Sequence, residues 1–265
     1  AEPPCAHAPP HATTRMQQHL LRAEPHVYKT YTVWALFDAM MVAGTLVLGA
    51  CYAWARALGH VGVFCDISDL VVHLPERIVF RLNFSLIGSL LVALALPIHD
   101  VVASRLGAGQ STCTPKAAAV FQTIAGIGVI LVGACGPEEI ESVHLTAAFM
   151  GFGGAAISQI LLNGVLYHEE QPTKQARTLH GVRCLISFLF LVSAVLLGLG
   201  EASILPEPCE HIFEWCLWFF LLAWYFTFKW DFSSFCLASA ETAGAGNART
   251  KFGRLDGHVV PLATA

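Results

Sequence analysis

The sequence predicts an all-α, polytopic membrane protein: a six-transmembrane-helix bundle with cytosolic N- and C-termini. Three observations carry that prediction. Hydrophobic residues make up 55% of the 265-residue chain and charged residues only 13%, about half the charge expected of a water-soluble domain. Six stretches reach the roughly 20 mostly apolar residues that one helical crossing needs. Lysine and arginine gather on one set of alternating loops, the pattern that orients a membrane protein.

Taken in order, residues 1–32 form a first segment whose Pro-, His- and Ala-rich opening lacks the basic-then-apolar pattern of a signal peptide. We read it as a disordered cytosolic tail. The first span is expected at 33–55, with Asp38 near its start. The second, 76–98, is opened by Pro75, whose missing N–H costs nothing in a first helical turn. The third, 117–135, is stopped by Gly136-Pro137. The fourth, 143–167, carries the small-residue run Gly151–Ala156, which lets another helix approach closely. The fifth, 179–200, is the greasiest. The sixth, 212–232, is the most aromatic, and its Trp215, Trp218 and Trp230 are expected as interface anchors, with Lys229 and Asp231 at the headgroups. Residues 233–265 follow as a second cytosolic tail. The connections are short and no repeat is visible, so the spans are expected to form one bundle.

With both ends on one side, twelve basic residues fall there, Arg105, Lys116, Lys174, Arg177, Arg183 and Lys229 among them, and only Arg56, Arg77 and Arg81 on the other. That second side is acidic: Asp66, Asp69 and Glu76, then Glu138, Glu139 and Glu141, then Glu201, Glu207, Glu210 and Glu214. The acidic loops are therefore expected to face the lumen or the outside. A formal net charge of −4 without a dense basic run argues for no nucleic-acid partner. Nine cysteines without CxxC spacing give no zinc or iron–sulfur pattern, and no metal or cofactor is assigned. Cys65 and Cys209 both fall in lumenal loops, where a disulfide persists, and form the candidate bridge. Cys51, Cys184 and Cys216 read as small apolar residues, and Cys236 as either a palmitoylation site or a free juxtamembrane thiol. Gln122, Gln159 and Asn163 read as interhelical hydrogen-bonding amides. Asn83-Phe84-Ser85 spells a glycosylation acceptor, but inside the second span, where the modification cannot occur.

The polar stretch from Phe64 to Phe84 stands out, because a membrane chain spends polar groups only where they serve. Asp66, Asp69, His73, Glu76, Arg77 and Arg81 lie here, and His144, His211 and Glu214 are expected at similar depth. We take these nine as a lumenal cluster with either a lipid-headgroup or a structural role. Arg77 and Arg81 share a helical face. They either hold an anionic group such as a lipid phosphate or pair internally with Asp66, Asp69 or Glu76. His211 and Glu214 share a face as well, but no HExxH or GxSxG pattern accompanies them, and no residue is assigned a catalytic role.

Ile67-Ser68-Asp69 followed by Pro75-Glu76, His144 opening the fourth span, and Glu214-Trp215 with Thr227, Trp230, Asp231 and Phe232 in the sixth together resemble one family. It is the six-span family of the damage-regulated autophagy modulators, the FGF-receptor-activating protein, the post-GPI-attachment remodelling factor and the N-terminal domain of a cell-wall-biogenesis protein. The similarity covers about residues 30–235. It departs from the family around this motif, with Cys65-Asp66 before it and Leu70-Val71 after it. The resemblance implies an endomembrane protein (Golgi, endosome or lysosome) or a plasma-membrane protein, with relatives linked to autophagy, GPI-anchor remodelling and phospholipid organisation. The leading expectation is a non-enzymatic protein that binds or organises membrane lipids, and other membrane proteins as further partners. Alternatives are a lipid-remodelling enzyme or subunit acting on GPI or related acylated lipids, and an accessory subunit of a larger membrane complex.

Overall fold

The computed structural model describes residues 30–106, 111–168, 174–232, 252–255 and 258–261. Most of the two expected tails, with Cys236 and its candidate modification, lies outside the described residues. Among the described residues, six helices are long and apolar enough to cross a membrane: Thr32–Leu58, Glu76–Arg105, Cys113–Ala134, Glu141–Tyr167, Ala176–Gly200 and Pro208–Phe232. Every expected span is matched, and most helices run further than expected. The second continues seven residues beyond 98 to Arg105, because a helix does not stop where the hydrocarbon does.

The first span has three parts: α1 (Thr30–Met41), a π-helical stretch (Val42–Val47) and α2 (Leu48–Leu58). Side chains from two other spans bond to carbonyls of this wide turn. Asn83 Nδ2 donates to the Ala43 carbonyl (3.0 Å) and Trp218 Nε1 to that of Gly44 (3.0 Å). A Cβ on Gly44 would overlap the methyl groups of the buried Leu222, so a larger residue there would have to displace that side chain.

The remaining helices are α3 (Glu76–Arg105), α4 (Cys113–Ala134), α5 (Glu141–His168), α6 (Lys174–Glu201) and α7 (Glu207–Phe226), the last continued helically to Phe232. Helices α3, α4 and α5 pack backbone to backbone. A Cβ on Gly88 would strike the Gly126 carbonyl, one on Gly126 the Gly88 carbonyl, and one on Gly128 the backbone of Gly151, so small residues set these distances. Helix α7 fills the opposite side with bulk: Trp218, Leu221, Leu222, Trp224, Tyr225, Phe228 and Phe232 are all at most 1% exposed. Trp218 stacks on Phe84 (4.7 Å between centroids), which stacks on Phe80 (4.1 Å). Trp218 is thus a core residue, not the expected interface anchor. Trp230, 48% exposed, keeps an outward position. Helix α6 is peripheral, with 22% of its span buried against 56% for α3.

Both chain ends of the bundle lie at one face, which we call the termini face. Here Arg183 of α6 is buried among protein groups. It donates from Nε to Thr227 Oγ1 (2.8 Å), from Nη2 to the Thr227 carbonyl (3.0 Å) and to Asp231 Oδ2, and covers the Phe228 ring at 4.2 Å. Arg105 holds the other Asp231 oxygen at 2.5 Å. Asp231, expected at the headgroups, is buried instead together with Arg183, because each supplies the other's counter-charge. Lys229 pairs with Asp38 at 2.5 Å. Gln122 and Asn163 bond across helices as expected, to the Leu91 carbonyl (3.0 Å) and Ser187 Oγ (2.8 Å). Gln159 is buried, and its amide makes no hydrogen bond among the described residues. Cys51 is buried and Cys184 exposed. Within 233–265, β1 (Phe252–Leu255) and β2 (His258–Pro261) pair as an antiparallel hairpin.

Candidate functional site

Opposite the termini face, residues 59–75 join the first two spans and form a head over the bundle. Gly59 starts it in the left-handed region (φ 75°), a conformation that glycine adopts without penalty, ending α2 with bonds to the Ala55 and Arg56 carbonyls. Tyr52 Oη then donates to the Val63 carbonyl (2.7 Å) and Arg56 Nη1 to that of Val61 (3.0 Å), so the last turns of α2 hold the loop down.

Three contacts fasten the head to α7. Asp66 Oδ1 meets His211 Nδ1 at 2.7 Å, the Ile67 N–H donates to Glu214 Oε2 at 2.6 Å, and Trp215 Nε1 donates to the Cys65 carbonyl at 3.0 Å. These three α7 residues follow one another along the helix as Asp66, Ile67 and Cys65 pass above it. A short 3₁₀ turn, Ser68–Val71, follows. Asp69 Oδ2 accepts the Asp66 N–H (3.0 Å), a local side-chain-to-backbone bond of the kind that starts turns. Burial pushes the Asp69 carboxyl above its usual range, only partly offset by that bond. Burial also pushes the Cys65 thiol up to about 12, with the carboxylates of Asp69, Asp66 and Glu214 adding to the shift, which leaves the sulfur unreactive.

Cys65 and Cys209 are both free thiols, so the candidate bridge between them is not formed: Cys65 is buried in the head with its carbonyl held by Trp215, and Cys209 is half-buried at the start of α7.

The nine cluster residues divide into separate groups. Asp66, Asp69, His211 and Glu214 form the fastening just described. Glu76, only 1% exposed, pairs with His60 Nδ1, and His60 lies against His73, ring centroids 4.9 Å apart. Arg77 and Arg81 reach none of the three acids considered for them. Both converge on Glu139 Oε1, Arg81 at 2.7 Å, with the three side chains 31–37% exposed. Arg81 Nε, shielded from solvent, makes no hydrogen bond among the described residues. His144 stands apart, its Nδ1 2.7 Å from the Cys135 carbonyl.

Two of these groups meet again at a cavity of about 30 Å³ beneath the head. Ser68, His144 and Glu214 give it a polar end, and Phe84, Phe152 and Trp218 are among its apolar walls. Reading the sequence did not single out His60, Ser68 or Glu139 as site residues. For Glu139 a signal existed, since it lies in the acidic loop facing the same side as the arginine pair. For Ser68 it was the residue's place in the Ile67-Ser68-Asp69 motif, and for His60 there was none.

No curated protein and no solved structure matches the chain. A family model does, that of the Frag1/DRAM/Sfk1/Cwh43P N-terminal domain, over residues 32–235. The match takes in all six spans and the head, and the chain belongs to that family of integral membrane proteins.

Proposed function

We propose that this chain is a non-enzymatic lipid-binding protein of endomembranes, holding the phosphate of a membrane lipid on Arg77 and Arg81. One observation carries the reading: two guanidinium groups converge on a single carboxylate oxygen of Glu139. One positive charge is left over, in side chains about one third exposed and set on an apolar perimeter where Ile78 and Leu82 are 55% and 68% exposed. Guanidinium forks match phosphate oxygens, and headgroup depth is where a lipid presents them. The rest of the cluster supports a binding role, since Asp66, His211 and Glu214 are engaged in holding the head.

In this reading the head faces the lumen or the outside and both chain ends the cytosol, because Arg105, Lys116, Lys174, Arg177, Arg183 and Lys229 lie toward the termini. The test is the double variant R77Q/R81Q of the full chain in detergent, probed with phosphatidylglycerol. Lipid binding should fall at least tenfold with folding intact, and unchanged binding would remove the phosphate site.

A further inference from the structure

The first stretch of the head turns back along the helix that leads into it. After Gly59 the His60 N–H donates to the Ala55 carbonyl (3.0 Å), Arg56 then holds the Val61 carbonyl and Tyr52 that of Val63, so the chain returns along the last two turns of α2. Tyr52 lies six residues before the end of α2 at Leu58, about 9 Å along the axis, and its side chain leans toward the helix N-terminus, deeper still. From the other side Trp215, eight residues after Glu207 and about 12 Å along the axis of α7, donates to the Cys65 carbonyl (3.0 Å). Helix α7 runs the opposite way, so its side chains lean outward, and the two rings meet edge-on with centroids 5.9 Å apart. Phe64 sits between the two carbonyls that these rings hold, and therefore below the ends of both helices.

Val63 and Phe64 are nevertheless each 62% exposed. What they face follows from their surroundings. Between Gly59 and Cys65 the only ionisable side chain is that of His60, which is turned to Glu76. The other turns at this face carry Glu138, Glu139 and Glu141, and Glu201 and Glu207. Around the pair the surface is apolar. Ile212 and Phe219, one turn to either side of Trp215 on the same face of α7, are 46% and 43% exposed, and Phe219 stacks on Trp215 at 6.0 Å. Nothing lies within 4 Å of a Cβ on Gly49, one turn deeper than Tyr52. The pair thus continues the lipid-facing surface of two spans, at the depth where tyrosine and tryptophan mark the edge of a bilayer. We propose that Val63 and Phe64 form a membrane wedge, a re-entrant tip seated in the seam between α2 and α7 at the boundary of headgroups and acyl chains in the leaflet on the head's side. The wedge uses neither Arg77 nor Arg81, and it gives the head a lipid contact of its own.

The experiment footprints the wild-type full chain in phosphatidylcholine vesicles, so no variant has to fold. A phosphatidylcholine carrying a diazirine near its acyl carbonyl is photolysed, and labelled residues are located by mass spectrometry. Phe64 should be labelled as strongly as Ile212 and Phe219. Hydroxyl radicals generated in the water should oxidise Phe64 at least fivefold less than in the free peptide 57–77. Oxidation at the free-peptide level would overturn the wedge and leave the pair to water or to a soluble partner. Absence of the carbene label would overturn it too, by placing the pair out of reach of lipid.

Discussion

Arg77 and Arg81, one helical turn apart on α3, meet at the same oxygen of Glu139, 62 residues further along the chain from Arg77. The contact ties the second span to the turn between the third and fourth and leaves a cationic site at the rim of the head. Because all three side chains are about one third exposed, the network contributes little to stability, on the order of 1 kcal/mol or less.

Removing the shared acid should therefore separate binding from folding. E139Q is expected to lower the melting temperature by only a few degrees while raising retention of phosphatidylglycerol, since both guanidinium groups are released. Reduced retention, measured beside the wild-type chain, would contradict the site.

At the termini face the stakes are larger. R183M leaves Asp231 buried with Arg105 alone. Breaking a buried pair costs about 3–5 kcal/mol, and the remaining arginine points to the lower end of that range. Denaturation in mixed micelles should show the loss, and R183M/D231N should recover part of it.

Glycine substitutions should sort by what they meet. G126L drives a side chain into the Gly88 carbonyl and Val92, whereas nothing lies within 4 Å of a Cβ on Gly164. Overpacking costs about 1–3 kcal/mol or more, so G126L should aggregate or melt early, and G164L should elute and melt like the wild type.

The head should respond to pH through Asp69. Its carboxyl is raised above the ordinary value in the folded state, so the fold holds the proton more tightly than the unfolded chain does. The associated stability is fully present below about pH 3.9, the ordinary aspartate value, and is lost as pH rises through the folded value. D69N, which keeps an acceptor for the Asp66 N–H, should flatten the melting temperature across that interval, and an unaltered profile would refute the assignment.

Thiol labelling tests the head's closure. With its thiol held up at about 12 and its side chain buried, Cys65 should resist maleimide at neutral pH until the chain unfolds, whereas the exposed Cys113 and Cys184 should react first and the half-buried Cys209 before Cys65. Non-reducing electrophoresis should show no intramolecular bridge.

The spans were legible because hydropathy over twenty residues needs no knowledge of partners. Their ends were less so, since Arg105 extends α3 beyond its apolar part to reach Asp231. Arg183 counts in the sequence only as one more basic residue on the side of the chain ends, and only its contact with a residue 48 positions later explains its burial. Trp218 shows the same limit: an indole facing lipid and one stacked on Phe84 look alike in sequence. For Arg77 and Arg81 the shared face followed from their spacing, while Glu139 as partner depended on how α4 and α5 meet.

The bonds that fasten the head have a consequence for biosynthesis. Ile67 waits for Glu214, 147 residues later, and Arg183 waits for Asp231. At about 5–20 residues per second of synthesis, the head stays undocked for roughly 7–30 s after it is made, and Arg183 must linger at the aqueous edge for several seconds without its acid. Arrival of the last helix closes both faces, so a nascent chain stalled before residue 207 should expose its first hairpin to quality-control proteases.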